Sequence, residues 1–297
     1  MLVSVLGGSG DQGSAQVRQL LAAGHAVRLV SRTRPEGCAL DWRGADIFDE
    51  PSLTAAFAGS DALFANTPVP HRLERPRMMG HIGRAAQAAG VRRLVWNTAT
   101  WIPDRPGDPG TYGINTAAIN ILFRTGVPAT VFGAVLFMDN LQTGFARRFI
   151  VEEGRFHYPH APHMRANWIS LDDVARIMIA ALDRPDLEGA WMNIGGPQAL
   201  GPQQVAEILS DVIGRPIRYD PATPEQFGRT LADALGSSAT PEKRAAMAQD
   251  MRDFYIYNND APTRPFQVNV EAMLERLPMR LETMREWAAR QDWSAWP

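Results

Sequence analysis

The sequence predicts an α/β fold: a doubly wound parallel sheet with helices on both faces, joined to a smaller, mostly helical part. Three observations predict it. Short apolar runs alternate with helical stretches through the first half of the chain. Glycines fall where each helix should stop before the next strand, at Gly24, Gly59, Gly90 and Gly126. A glycine-spaced turn, Gly7-Gly8-Ser9-Gly10-Asp11-Gln12-Gly13, joins the first strand to the first helix. Alternation with short links implies parallel strands covered on both sides, and glycine is the expected helix stop.

The elements follow in order. The first strand is Leu2-Val3-Ser4-Val5-Leu6, and the helix after it, near 13–23, carries Val17, Leu20 and Leu21 on one face. Further strands are read at 26–31, 61–65, 92–97 and 128–132. Each is a short apolar run with β-branched or aromatic residues, as strands buried on both faces require. Helices fall between them near 51–58, 73–89 and 111–125. After residue 140 the rhythm changes. Residues 141–170 are rich in aromatics, His and Arg; a helix follows at 171–182, a strand at 191–194 and a helix at 203–213. Residues 221–297 read as mostly helical. The expected division is a nucleotide-binding domain of residues 1–140 plus about 171–196, with 141–170 and 197–297 as a substrate-binding cap.

Composition narrows the function. The chain has 297 residues, 45% hydrophobic and 21% charged, with a net charge of −2. No long basic run points to nucleic acid or a membrane surface. The single cysteine, Cys38, excludes an internal disulfide framework and fits a reducing, cytoplasmic setting. The first strand begins at residue 2, which leaves no room for a signal peptide before it, and no apolar run approaches the ~20 residues of a membrane span. The expected partner is a small molecule, and an oligomer stays open.

A glycine turn between a strand and a helix is the context in which such spacing means dinucleotide binding, in a Rossmann-type sheet. Gly7 suits a tight turn with positive φ. Gly10 keeps a side chain out of the way of a pyrophosphate, and Gly13 lets the helix pack close. Ser9, Asp11 and Gln12 complete the turn, whose helix N-terminus offers free N–H groups to phosphate. The other reading is an ordinary βα turn. The second strand ends Ser31-Arg32-Thr33-Arg34, with no Asp or Glu for a ribose 2′-hydroxyl. A hydroxyl and two cations suit a 2′-phosphate, so the expected cofactor is NADP(H); a solvated arginine at a strand end is the alternative. Asp46 and Ile47, near the third strand region, stand where adenine is commonly contacted. Asn66-Thr67-Pro68 and Asn97 close later strands, outside whose carboxyl ends ligands bind.

These residues resemble the NmrA-like family of atypical short-chain dehydrogenases/reductases. The resemblance rests on Gly7–Gly13, Arg32, Gly59-Ser60-Asp61, Ala88-Ala89-Gly90-Val91-Arg92-Arg93, Gly126-Val127-Pro128-Ala129-Thr130, Phe137-Met138-Asp139-Asn140 and Ile169-Ser170-Leu171-Asp172-Asp173-Val174-Ala175. It spans most of the first two hundred residues. The family includes NADPH-dependent reductases of quinones, aromatic dyes and plant phenolic ethers, and fungal regulators that bind dinucleotide. The resemblance implies fold and cofactor more strongly than reaction.

One pattern is broken. Short-chain dehydrogenases usually carry Tyr-x-x-x-Lys on the helix before the strand at 128–132. Counting back from Gly126 puts Asn115 at the Lys position and Thr111 at the Tyr position, with Tyr112 one residue late. Ile114, Ala117, Ala118, Ile121 and Leu122 form the buried stripe, and Asn115 lies at its edge, able to face a cleft. An Asn can bond ribose hydroxyls but brings no charge. Three readings stay open: Asn115 holds the cofactor while another group donates the proton, the site binds cofactor without turnover, or Asn115 is a polar residue on the helix surface.

Thr98 stands near the family's active-site hydroxyl. Tyr112 or a histidine is the candidate proton donor. His157, His160 and His163 lie among Pro159 and Pro162, which disfavour a shared helical face, and no metal site is expected. Trp101, Phe137, Met138 and Trp168 are candidate lining for an apolar substrate pocket. Gly133 stands where family members often carry Arg, a loss expected to enlarge that pocket. The expected function is an NADPH-dependent reductase of a small apolar aromatic, quinone-like or conjugated carbonyl compound. The alternatives are an NADP-sensing regulator without turnover, or an isomerase, lyase or cyclase reusing the fold.

Overall fold

The computed structural model describes residues 1–68, 73–103, 110–235 and 239–294. Its first elements are β1 (Leu2–Leu6), α1 (Asp11–Ala22), β2 (Ala26–Ser31), β3 (Asp41–Gly44), α2 (Glu50–Phe57), β4 (Ala62–Ala65), α3 (Arg75–Ala88), β5 (Arg93–Asn97), α4 (Gly110–Arg124) and β6 (Ala129–Ala134). Then come α5 (Arg147–Glu153), β7 (Arg155–Tyr158), β8 (Ala166–Asn167), α6 (Leu171–Ala180), β9 (Trp191–Ile194), β10 (Ala199–Leu200) and α7 (Pro202–Ile213). The chain continues through β11 (Arg218–Pro221), α8 (Pro224–Leu235), α9 (Pro241–Asp260), α10 (Val270–Arg276) and α11 (Met284–Ala289). Two compact units divide it: Met1–Ala134 with Leu171–Ile194 and Ala272–Pro278, and Val135–Ser170 with Gly195–Glu271 and Met279–Pro297.

The first unit holds a seven-stranded sheet in the order β3-β2-β1-β4-β5-β6-β9. Every neighbouring pair is parallel. Strands β4, β5 and β6 are buried along their whole length, which is why their central residues, such as Leu63-Phe64, Leu94-Val95-Trp96 and Val131-Phe132, are apolar. Leu63, Leu94, Trp96 and Val131 from the sheet pack with Met79, Ile82 and Leu122 from the helices. The four glycines expected to stop helices all take positive φ. Because β2 lies on one side of β1 and β4 on the other, the winding reverses at β1, and a ligand site belongs at the carboxyl ends there. The edge strand β3 is mostly exposed and lacks the apolar alternation that marks a strand.

Two buried arginines brace the opposite, amino end of this sheet. Arg28 donates from Nε to Asp41 Oδ2 at 2.7 Å, and from Nη1 to the carbonyls of Ala56 and Ala58 at 3.1 and 2.7 Å, where α2 ends. Arg93 donates to Ala181 O at 3.1 Å, Arg184 O at 2.7 Å and Thr130 Oγ1 at 2.8 Å, past the end of α6. Helix C-termini leave carbonyls without intrahelical partners, and cations there are favoured. Desolvation lowers the Arg93 pKa from its usual value.

The second unit contains strands where the sequence suggested mainly helix and loop. β7 pairs with β11 in parallel, and β8 with β10 antiparallel. These strands run two to four residues, too short for a period-two signal. The core is aromatic: Phe156, Tyr158, Trp168, Phe227, Tyr255 and Phe266 are all buried in it. His160, 2% exposed, sits among these rings, 4.7 Å from Tyr158 and 5.4 Å from Phe266. Among the described residues, no helix is long and apolar enough to cross a membrane, and no group of three or more His, Cys, Asp or Glu could hold a metal ion.

Neighbouring arginines provide one test of this packing. Arg93→Met strands buried carbonyls and should cost about 2–4 kcal/mol. Arg92→Ala removes an exposed pair with Asp61 and should cost less than about 1 kcal/mol. Urea unfolding of both variants reads the difference, and equal losses would contradict the capping role. His160 gives a second test. Burial pushes its pKa down from 6.5 to about 3. The unfolded chain takes up a proton near 6.5 that the folded chain refuses until about 3, so stability falls as pH drops through that window. His160→Phe should therefore flatten the acid limb, which circular dichroism against pH measures; an unchanged limb would show that His160 titrates freely in the fold.

Candidate functional site

The turn after β1 is shaped by backbone contacts. Gly7 takes φ +72° and donates its N–H to Val30 O at 2.9 Å. Gly10 precedes α1 and donates to Gly7 O at 3.2 Å. A Cβ at Gly13 would lie 2.3 Å from Gly7 O and 2.5 Å from Gly8 Cα, and one at Gly8 would lie 2.0 Å from Leu29 Cδ2. At Gly13 the backbone itself bars a side chain; at Gly8 the obstacle is the tip of the Leu29 side chain, which would have to move. Gly8 carried no role in the sequence reading, since its contact is with a neighbouring strand. Gly10 differs: a Cβ there would meet only Gly7 O, at 3.7 Å. Its outer side is open, beside exposed Ser9 and Asp11 and the amides that start α1. Bare backbone facing open space at a helix N-terminus is the cradle a diphosphate requires, so these residues fit a dinucleotide.

At the end of β2 the polar groups divide. Ser31 donates to Thr33 O at 2.8 Å and accepts from Trp42 Nε1 at 3.0 Å. Arg34 donates to Cys38 O at 2.9 Å, bracing its own loop. Arg32 is exposed and has no hydrogen-bond or ion-pair partner among the described residues. Asp46 accepts from Phe48 N at 2.9 Å in the turn leading into α2, with Ile47 half-buried beside it.

Carboxamides join the ends of β4 and β5 to α1. Asn66 donates to Leu6 O at 3.0 Å and to Gln16 Oε1 at 2.8 Å, while Gln16 Nε2 donates back at 3.1 Å. Thr67 and Pro68 follow at increasing exposure. Asn97 donates to Gln12 Oε1 at 2.7 Å and accepts from the amides of Ala99 and Ala134 at 3.1 and 3.2 Å. Ala99 takes φ +59°, an uncommon conformation for a non-glycine residue. The turn it makes buries Thr98 completely, with its hydroxyl donating to Thr100 O at 2.6 Å. Thr98 was expected as an active-site hydroxyl; it is instead committed to this turn, and the half-buried Thr100 lies nearer the surface.

Asn115 is fully buried on α4, not on the helix surface. Its Nδ2 donates to Thr100 Oγ1 at 2.7 Å and to Trp101 O at 3.3 Å. Its Oδ1 accepts from Arg75 Nη1 at 2.7 Å. Both amide hydrogens are therefore spent within the protein. Arg75, 5% exposed, opens α3. The sequence reading missed it; nothing local sets it apart from the other arginines of that helix. Tyr112 is 1% exposed and packs edge-to-face on buried Trp101, ring centres 5.2 Å apart. The Thr111 side chain lies outside the described residues. Gly133 does not enlarge a pocket: a Cβ there would lie 2.4 Å from Asn193 Oδ1 and 2.9 Å from Ile102 Cγ1. Asn193 fills that space, accepting from Ile102 N at 2.7 Å.

The remaining candidates belong to the second unit. Phe137 is half-buried and bridges to Ile169. Met138 and Trp168, expected to line a pocket, are packed into the aromatic core at 1% exposure each. His160 lies in the same core, and its lowered pKa leaves it neutral, so it is no proton donor near pH 7. His157 is partly exposed, its Nδ1 2.7 Å from Asp220 Oδ2. Asp220 also takes a bond from Arg155; although burial opposes it, the bonds to His157 and Arg155 hold the carboxyl below its usual range. His163 is exposed beside Asp260.

Known proteins resemble this chain in sequence and in fold. The NAD(P)H azoreductase of Xenophilus azovorans is 31% identical over 262 residues, covering 86% of each chain. Among solved structures, the Citrobacter sp. triphenylmethane reductase complexed with NADP(H) superposes with a TM-score of 0.76 at 18% identity, covering 98% of this chain and 99% of the other. The NADPH-dependent quinone oxidoreductase of Escherichia coli, complexed with NADPH, gives a TM-score of 0.74 at 18% identity, covering 97% and 98%. The profile of the NmrA-like family matches residues 1–288, and the chain belongs to that family.

Proposed function

We propose that the protein is an NADP(H)-dependent reductase of small, largely apolar acceptors of the aromatic, quinone-like or conjugated carbonyl type. The observation that carries this reading is Arg32: an exposed guanidinium, unpartnered among the described residues, at the strand end beside the open cradle at Gly10. The amides that open α1 would hold the diphosphate, and Arg32 the 2′-phosphate through a charge-assisted bond. Asn66 and Asn97 frame the strand ends beneath.

When bound, the reduced nicotinamide supplies a hydride. The acceptor then carries two more electrons and one more hydrogen as an anion, and a solvent proton completes it. Thr98 and Tyr112 are both buried, so neither delivers that proton. A conjugated acceptor delocalises the anion and needs no strong acid beside it, which suits a helix with Asn115 at the lysine position. The relative named NAD(P)H azoreductase supports a reductase.

Arg32→Ala should weaken NADPH binding by about 1.5–3 kcal/mol, a loss of roughly 10- to 150-fold, and leave NADH nearly unchanged. Titration followed by nucleotide fluorescence reads both. Equal losses for the two nucleotides would remove the 2′-phosphate assignment.

A further inference from the structure

We propose that the second unit carries a binding site for a small organic oxyanion, a carboxylate or phosphate monoester on an apolar body, with Arg264 as the residue that holds the charge. Binding there requires no nucleotide.

The backbone gives the first sign. Arg264 takes φ +49°, in the left-handed region that disfavours any residue with a β-carbon and that glycine or asparagine enters at less cost. The turn around it is pinned. Arg264 N donates to Ala261 O at 3.0 Å, and Gln267 N to Arg264 O at 2.9 Å. Buried Asn167, on β8, then holds the next residues. Its N–H donates to Phe266 O at 2.8 Å, and its Oδ1 accepts from Val268 N at 3.1 Å. Strain of this kind persists where the surroundings over-determine it, and it gathers at ligand sites. What arginine adds here over glycine or asparagine is a cation on a long arm.

That arm lines a cavity of about 520 Å³, within the ~300–1,000 Å³ of small-molecule sites. The whole lining comes from the second unit. Met164, Ala261 and Phe266 give it a buried apolar wall. The Arg264 guanidinium has no hydrogen-bond or ion-pair partner among the described residues. Exposed Arg165 lines the same cavity and donates to Gln204, a bond that uses one of its five donors. Against these two cations the lining sets one carboxylate, Asp260, 3.3 Å from His163. Helix α9 ends at this cavity, and the carbonyl end of a helix favours cations. Its carbonyls are taken up internally, however. Phe254 O accepts from Asn258 Nδ2 at 2.6 Å, Tyr257 O accepts from Ala261 N at 2.9 Å, and Asn259 O lies 3.1 Å from His163 Nε2. The charge left to a ligand is therefore that of the guanidinium groups, which take planar and tetrahedral oxyanions through paired N–H donors. The apolar wall beside them takes the body that carries the anion.

The test is calorimetric titration of wild type, Arg264→Asn, Arg165→Gln and Arg32→Ala with benzoate, phenyl phosphate and neutral benzyl alcohol, alongside thermal midpoints. Wild type should bind benzoate or phenyl phosphate at least about fivefold more tightly than benzyl alcohol; the tighter of the two anions tells carboxylate from phosphate. Arg264→Asn should weaken that anion by about five- to tenfold, the low end for a charge-assisted bond because the cavity is open to water. Its thermal midpoint should stay level or rise, since asparagine tolerates the left-handed turn. Arg165→Gln should also weaken the anion, and Arg32→Ala should not. A purely structural arginine would instead lower the midpoint of Arg264→Asn and leave anion binding intact, which overturns the site. Wild type that binds neither anion, or binds benzyl alcohol equally well, overturns it too. So does a loss confined to Arg32→Ala, which would move the anion to the nucleotide cradle.

Discussion

The first turn of α1 packs backbone to backbone against the turn before it. At Gly13 there is no room for even one side-chain carbon, with Gly7 O 2.3 Å and Gly8 Cα 2.5 Å from where it would stand. That approach sets the position of α1 against the sheet, and the site follows from it. Gln12 and Gln16, on the first two turns of the helix, come within hydrogen-bond distance of Asn97 and Asn66. The ends of β5 and β4 are thereby registered to the same helix whose N-terminus faces the open cradle. Asn97 extends the register to β6 through the amide of Ala134. One steric exclusion thus fixes three strand ends and a helix N-terminus relative to each other.

Much of the first unit was legible because its signals are local and dense. Strands buried on both faces, such as β4 and β5, admit a polar residue only where it is hydrogen-bonded, as at Arg93 and Asn97, so their centres stand out as apolar runs. Glycine stops and the α4 stripe are equally local. The short strands β7, β8, β10 and β11 were not legible: two to four residues hold at most two periods of alternation.

The site divides in the same way. Gly7, Gly10, Gly13 and Arg32 were legible as neighbours within one βα unit and the next strand end. Arg75 was not, because its meaning lies in a bond to a residue 40 positions away. Thr98 and Thr100 could not be told apart by position. What separates them is the left-handed backbone at Ala99, a conformation that an alanine does not announce. His160 looked like chemistry because histidines with prolines suggest a loop, and β7 instead leads it into an aromatic core.

The two ends of the sheet are held by different chemistry. At the amino end, Arg28 and Arg93 gather carbonyls left over where helices finish. At the carboxyl end, the framing side chains are Asn66, Asn97, Gln12 and Gln16, linked to one another as donor–acceptor pairs. Carboxamides neither gain nor lose a proton in any buffer the fold survives. The scaffold beneath the bound nucleotide therefore offers the same donors and acceptors in mild acid and mild alkali alike. Any bell or slope in a rate measured across buffers therefore originates outside these four side chains.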